Sequence, residues 1–405
     1  MGKLNGNHFL LIIVAISLIV LFVLTLQLPL SIHFADRIVT FPSELGNQLQ
    51  HPDVTIWSKN GYFENPQFNY DGNRIIYLET DHRDFEKASS GGRLPRGGES
   101  NIWMMSPDGG NREQITSSGT VGRVFVSPAS DSVAFINHTE GRSSSWIMKN
   151  PQSVPEKIPD LAQNTYVSSW SPDGAHLAVT ASDNSDGISY YYFLKLTMEN
   201  PAHNSIVYPK HDLYIIGADG SNPRLLANVT PGYLAYITET SWSPDGKSIA
   251  VPLYDPAGPA IGIIDVKNGT VSRITGVNST YPRWSPDGSR IAFLCNYDVW
   301  VIHPDGSGES RLTDDGFINA ISWNHDGTRL AYSDSIMIGI IDPDGDNLLR
   351  LNNIVWPGAV SWSPKEKLIT YCPGRINGYR IEIMLPYSDG VKIFSKTIEK
   401  KEAGY

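Results

Sequence analysis

After residue 35 the apolar positions come in short alternating runs separated by Gly, Pro, Asp and Ser, with little of the spacing that an amphipathic helix requires. The pattern predicts strands joined by tight turns. One stretch organises it: Ser241-Trp-Ser-Pro-Asp-Gly246 returns as close copies at Ser169 to Gly174, Arg283 to Gly288 and Ser322 to Gly327. Each copy ends one predicted strand in Trp, turns, and enters a second strand that reads Leu/Ile-Ala followed by Val or an aromatic residue.

Seven anchors of this kind can be placed: Phe68, Phe125, Trp170, Trp242, Trp284, Trp323 and Trp362. The last three intervals are 42, 39 and 39 residues, close to the roughly 40 to 45 residues of a four-stranded propeller blade. A second hairpin follows most anchors. Its first strand is Asn101 to Met105, Asp212 to Ile216, Asp298 to Ile302 or Ile336 to Ile341, its turn carries Asp-Gly, and its last strand often closes in Leu-Thr or Leu-Ala. Four strands per unit and seven units predict an all-β, seven-bladed β-propeller; six or eight blades fit less well.

The repeated residues have architectural reasons. Pro presets φ at the second turn position, Asp bonds its own backbone, and Gly accepts positive φ at the fourth. The Trp is expected to fill space between blades, and Ala178, Ala250, Ala292 and Ala331 to be small because the blades taper toward an axis. Calcium binding of the EF-hand kind fails at Asn347 and Asn353, where a Gly and a Glu would be needed.

Trp-Ser-Pro-Asp-Gly followed by Ile-Ala, and later by an Asp-Ile/Leu-Trp/Tyr strand, resembles the WD-like repeats of TolB-like propellers and of the propellers in prolyl-oligopeptidase-family enzymes. The resemblance covers residues 66 to 395 and implies the fold more than an activity. TolB proteins carry an α/β domain ahead of the propeller, where this chain has a linker. The peptidases carry a hydrolase domain after theirs; here the last predicted strand ends near Lys396, and no G-x-S-x-G nucleophile elbow occurs. Serine-peptidase activity is therefore not expected.

The N-terminal pattern is different. Phe9 to Leu28 is an uncharged apolar run of about the 20 residues that span a bilayer as a helix, longer than a signal-peptide core. The expected organisation is a cytoplasmic N-terminus (1–8), an uncleaved transmembrane signal anchor (9–30), and a linker (31–64) whose Val54 to Ser58 could close the ring. The propeller (65–396) and a tail (397–405) complete the chain. Lys3, ahead of the run, places the propeller on the far side of the membrane from the cytoplasm, periplasmic or extracellular.

Composition narrows the function. Net charge is −10 and the positive residues are dispersed, so nucleic acid is not an expected partner. Cys295 and Cys372 fall at equivalent places in two repeats and are expected to be free, buried thiols. The His residues form no H-x-H or H-E-x-x-H pair; no metal, cofactor or catalytic residue is expected. A propeller-fold carbohydrate lyase or hydrolase is the enzymatic alternative, with His82, His203 and His211 as its ligands, and a structural scaffold of an envelope complex is a third.

Long insertions fall on the links between second and third strands and between blades, which share one face: Asp81 to Glu99, Ser182 to His211, Val229 to Thr238, Asp255 to Ala260 and Pro373 to Gly378. Insertions on one face of a repeat array mark a binding face. Arg83, Lys87, Arg93, Arg96, Tyr190, Tyr191, Tyr192 and Tyr208 lie on them, and Arg and Tyr are favoured at interfaces. A non-enzymatic, membrane-anchored module binding protein, peptide or glycan is the expectation.

Overall fold

The computed structural model describes residues 30–34, 37–41, 54–57, 61–81, 100–139, 142–182, 211–229, 240–255, 258–334, 337–352, 359–365, 368–372, 380–384 and 396–397. Two units are compact in themselves, Met1–His51 and Pro52–Tyr405. Within the first, Leu30–Phe34 and Arg37–Phe41 form an antiparallel hairpin.

The second unit is an all-β propeller. Six four-stranded antiparallel blades succeed one another, each a meander that opens on the strand bearing its anchor. The first blade runs Gly61–Phe68, Ile75–Asp81, Ser100–Met105, Glu113–Gln114; the fifth runs Ser279–Trp284, Ile291–Cys295, Asp298–Ile302, Ser310–Arg311. The opening strands of successive blades touch one another, and Val360–Trp362 touches Gly61–Phe68, which closes the circuit.

The expectation of seven blades is corrected at Trp362: among the described residues the structure has six four-stranded blades, and the sheet opened by this anchor is of another kind. It has five strands of mixed origin, Val360–Trp362, Ile369–Tyr371 and Arg380–Met384, then Val54–Trp57, then Lys396–Thr397. Val54–Trp57 pairs antiparallel with Arg380–Met384, Val54 opposite Ile383, while Lys396–Thr397 adds in parallel at the outer edge. The position a regular blade gives to its own fourth strand is held here by chain that precedes the first blade, so the two ends of the unit are hydrogen-bonded together.

Among the described residues no helix is long and apolar enough to cross a membrane. The predicted span 9–30 lies outside the described residues except for Leu30, which opens a strand. Asp255 to Ala260 is not a long insertion: the strands Ser248–Asp255 and Gly258–Asp265 run on until Asp255 pairs with Gly258, leaving a two-residue connection.

The core lies between sheets. Ala134 clusters with Trp170, Ala178 with Trp242, Ala292 with Trp323 and Ala331 with Trp362, and in each case the anchor belongs to the next sheet. Trp284 packs in the same way against the cluster that holds Ala250. Each of these alanines therefore shares an inter-sheet cluster with an indole of the next sheet. Two indole N–H groups also donate across the seam, Trp170 Nε1 to the Phe125 carbonyl at 3.0 Å and Trp323 Nε1 to the Arg283 carbonyl at 2.9 Å. Phe125 and Trp284 are only half-buried.

The anchor turns repeat one hydrogen-bond set. In the fourth blade Ser243 Oγ donates to Asp245 Oδ1 at 2.7 Å, the Lys247 amide donates to the same oxygen at 3.0 Å, and the Ser248 amide donates to Ser243 Oγ at 2.9 Å. Gly246 sits at φ 70°, left-handed backbone that glycine adopts without strain. Asn324 and Asp326 build the same turn in the sixth blade. These carboxylates are committed to turns.

The turn set carries a pH dependence. The Ser243 hydroxyl, then the Lys247 amide, hold the Asp245 carboxyl down at about 2, below the roughly 3.9 of an unfolded Asp. A depressed folded value means that its stabilisation is complete above about pH 4 and is lost as pH falls toward 2. Asp245→Asn removes the titration, so wild type should have the higher Tm above pH 4 and the two Tm values should converge near pH 2 in parallel thermal melts.

Candidate functional site

Backbone conformation singles out one place on the described surface. Most non-glycine residues at positive φ are Asn, the residue that tolerates it: Asn65, Asn111, Asn222, Asn278, Asn296 and Asn347. Among the described residues the others are all aromatic: Tyr281 at 58°, Tyr297 at 66° and Phe317 at 66°. All three belong to the fifth blade or to the link that leaves it. For bulky side chains this conformation costs on the order of 1–2 kcal/mol per residue.

Tyr297 sits at a hairpin tip. Cys295 pairs with Asp298, so Asn296 and Tyr297 are the two central residues of the connection, at φ 51° and 66°. That is the signature of a type I′ turn, whose second central position is ordinarily glycine. Here the position carries a phenol ring that is 67% exposed.

Phe317 is brought alongside by the link to the sixth blade. Thr313 Oγ1 accepts the Val299 amide at 3.0 Å, Asp298 Oδ1 accepts the Gly316 amide at 3.0 Å, and the Tyr297 carbonyl accepts the Ile318 amide at 3.0 Å. Asp298 is buried and its other oxygen takes Arg311 Nη2 at 2.8 Å. The amides on either side of Phe317 are thus tied to the hairpin that carries Tyr297. The two rings lie 6.5 Å apart between centroids, tilted by 31°, and Phe317 is 52% exposed.

The tie itself is architecture. In the first blade Asn101 Oδ1 accepts the Gly119 amide at 3.0 Å and Thr116 Oγ1 accepts the Ile102 amide at 2.9 Å. Where the fifth blade puts Phe317 after its glycine, the first puts Thr120. The repeat therefore supplies the scaffold and the fifth blade supplies the aromatics.

The patch continues along Val277, which is also exposed; the Asn296 amide donates to the Asn278 carbonyl at 3.2 Å and joins that link to the hairpin. Inside it, Tyr281 occupies a bulge in Ser279–Trp284, where register shifts between Thr280 and Arg283. The Arg283 guanidinium lies 5.3 Å from the centre of the Tyr281 ring. On the same inter-blade link Asp315 is engaged, Oδ2 by the Tyr332 hydroxyl at 3.0 Å and Oδ1 by Arg350 Nη2 at 2.7 Å. Burial first, and then Asp315, push the Tyr332 phenol well above its ordinary range.

Arg83, Lys87, Arg93, Arg96, Tyr190, Tyr191, Tyr192 and Tyr208 lie outside the described residues, as do His82 and His203. His211 opens the strand His211–Gly217. Among the described residues no group of His, Cys, Asp or Glu could hold a metal ion. Neither cysteine is in a disulfide; Cys372 is buried, but Cys295, next to the Asn296-Tyr297 turn, is only partly so. The aromatic patch escapes a reading guided by long insertions, because this connection has two residues. Its signal is Asn-Tyr between two apolar runs, where Asn-Gly is the rule.

Residues 192–403 match the family model of the TolB beta propeller domain. The chain belongs to that TolB-like propeller family. An uncharacterized protein from Agrobacterium fabrum is 28% identical over 179 residues, 36% of this chain and 58% of that protein. The Tol-Pal system protein TolB of Anaeromyxobacter dehalogenans is 30% identical over 106 residues, 25% of this chain and 24% of that protein. The match thus spans less than two thirds of either relative. Among solved structures, hydrazine synthase of Kuenenia stuttgartiensis is 14% identical with a TM-score of 0.54, covering 82% of this chain and 97% of that one, a likeness of fold.

If Tyr297 is kept for its ring rather than for the turn, Tyr297→Gly should relieve the backbone. Its Tm is expected to equal or exceed that of wild type by a few degrees, on the order of 1 kcal/mol. A Tm lowered by several degrees would show that the ring holds the blade together instead.

Proposed function

We propose that this chain is a non-enzymatic propeller module that binds a protein or peptide partner through the face bearing its two-to-three and inter-blade links. The observation that carries the reading is Tyr297, an exposed aromatic at a turn position suited to glycine, paired with an exposed and equally strained Phe317. Strain of this kind persists where the side chain serves something other than folding, and exposed aromatics are favoured anchors of interfaces.

The meander supports a single face for binding. Links from second to third strand and from blade to blade emerge on one side of an antiparallel four-stranded unit, opposite the Ser-Pro-Asp-Gly turns. Asn296-Tyr297 and the link carrying Phe317 belong to that group, and so do the sequence segments with Arg83, Lys87, Arg93, Arg96, Tyr190, Tyr191, Tyr192 and Tyr208. We assign these residues to the same partner surface.

The setting we propose is the cell envelope, with the propeller outside the cytoplasm and the run Phe9 to Leu28 as its membrane anchor. The apolar length of that run supports the anchor, and family membership together with a Tol-Pal system relative supports the envelope.

A crosslinking capture from membranes tests the binding reading. The Tyr297→Ala/Phe317→Ala double variant should recover its partners at least about tenfold less well than wild type, the scale of one interface hot spot, with an unchanged melting profile. An unchanged set of captured partners would overturn the assignment.

A further inference from the structure

The charges around the aromatic patch are unevenly used. Arg311 is taken by Asp298 at 2.8 Å, Arg350 by Asp315 at 2.7 Å, and Arg283 lies over the Tyr281 ring at 5.3 Å. Asp314, three residues before Phe317, is exposed and forms neither a hydrogen bond nor an ion pair among the described residues. The link that carries Phe317 therefore also carries an exposed carboxylate with no partner among the described residues, while Arg283, Arg311 and Arg350 are engaged, on a chain whose net charge is −10.

We propose that the Tyr297–Phe317 patch takes a basic peptide segment, with an Arg or Lys side chain lying across an aromatic face and its charge met by Asp314. This rests on the protein-binding reading above and names the chemistry of the partner. A cation over an aromatic ring is attracted by the negative face of the π-system, Arg more often than Lys. The same chemistry is already used inside the fold: Arg283 covers Tyr281, and the Arg112 guanidinium lies 4.8 Å from the Trp103 ring centre and 5.5 Å from that of Phe63. At the patch the cation must come from the partner. A carboxylate on the link that carries Phe317 also selects against acidic segments, since like charges brought together oppose docking.

The test uses two acetylated, amidated peptides, Gly-Gly-Arg-Leu-Arg-Gly-Gly and the same sequence with both arginines replaced by citrulline, which keeps the shape and removes the charge. They are titrated into the full chain carrying 3-fluorotyrosine at Tyr297, and the fluorine resonance is followed. The arginine peptide should shift the resonance saturably, with the citrulline peptide at least about tenfold weaker. Asp314→Asn, and an increase in salt from about 0.05 to 0.5 M, should each weaken the arginine peptide severalfold. Equal affinity for the two peptides, or indifference to both Asp314→Asn and salt, overturns the basic-segment assignment. So does the absence of any shift. None of these outcomes touches the membrane capture, which judges the docking surface by itself.

Discussion

The packing of each Trp anchor with the alanine of the preceding blade is the contact on which the rest depends. A four-stranded meander has two apolar faces and cannot bury either alone; stacking it on its neighbours does. The clusters that join Ala178 to Trp242, or Ala331 to Trp362, are therefore both the core and the assembly code. A larger residue on one side or a smaller one on the other would change the angle between sheets, and a ring has no free end at which to absorb the error. Pairing of Val54–Trp57 with Arg380–Met384 adds backbone hydrogen bonds at the seam where the two ends of this unit meet.

A closed ring explains how strain can be held at one face. Tyr297, Phe317 and Tyr281 keep unfavourable backbone angles because the residues around them are over-determined. Asp298 is buried and grips the Gly316 amide, Ile318 is buried in the core, and Tyr332, fully buried, donates to Asp315 on the same link. Gly339 shows how tight this region is: a Cβ there would come within 2.0 Å of the Tyr332 ring, its cross-strand partner. The aromatics project from a site whose supporting shell is architecture.

Much of this was legible in the residues themselves. The Ser-Pro-Asp-Gly turns, the Trp anchors and the four-strand period are local rules, and local rules survive in a sequence. The composite sheet was half legible: Val54 to Ser58 reads as a strand able to close the ring, but its partner Arg380–Met384 lies more than 300 residues away and no repeat signature names it. The reason for the alanines was half visible: Ala178 is plainly small, but the ring it accommodates is Trp242, in the next unit. The aromatic patch was hidden differently. Asn296-Tyr297 is written in the sequence, yet only the φ of Tyr297 turns an ordinary dipeptide into an exception.

The dependence of one blade on the next is open to a direct measurement, a double-mutant cycle of unfolding free energies for Ala178→Leu and Trp242→Phe. Each single change should destabilise, by about 1–3 kcal/mol for the overpacked alanine. The combined variant should recover part of the loss, giving a coupling of about 0.5–3 kcal/mol, because the added methyls occupy space the indole vacates. Additivity within about 0.5 kcal/mol would contradict the account, since it would mean that the alanine and the anchor do not share one inter-blade space.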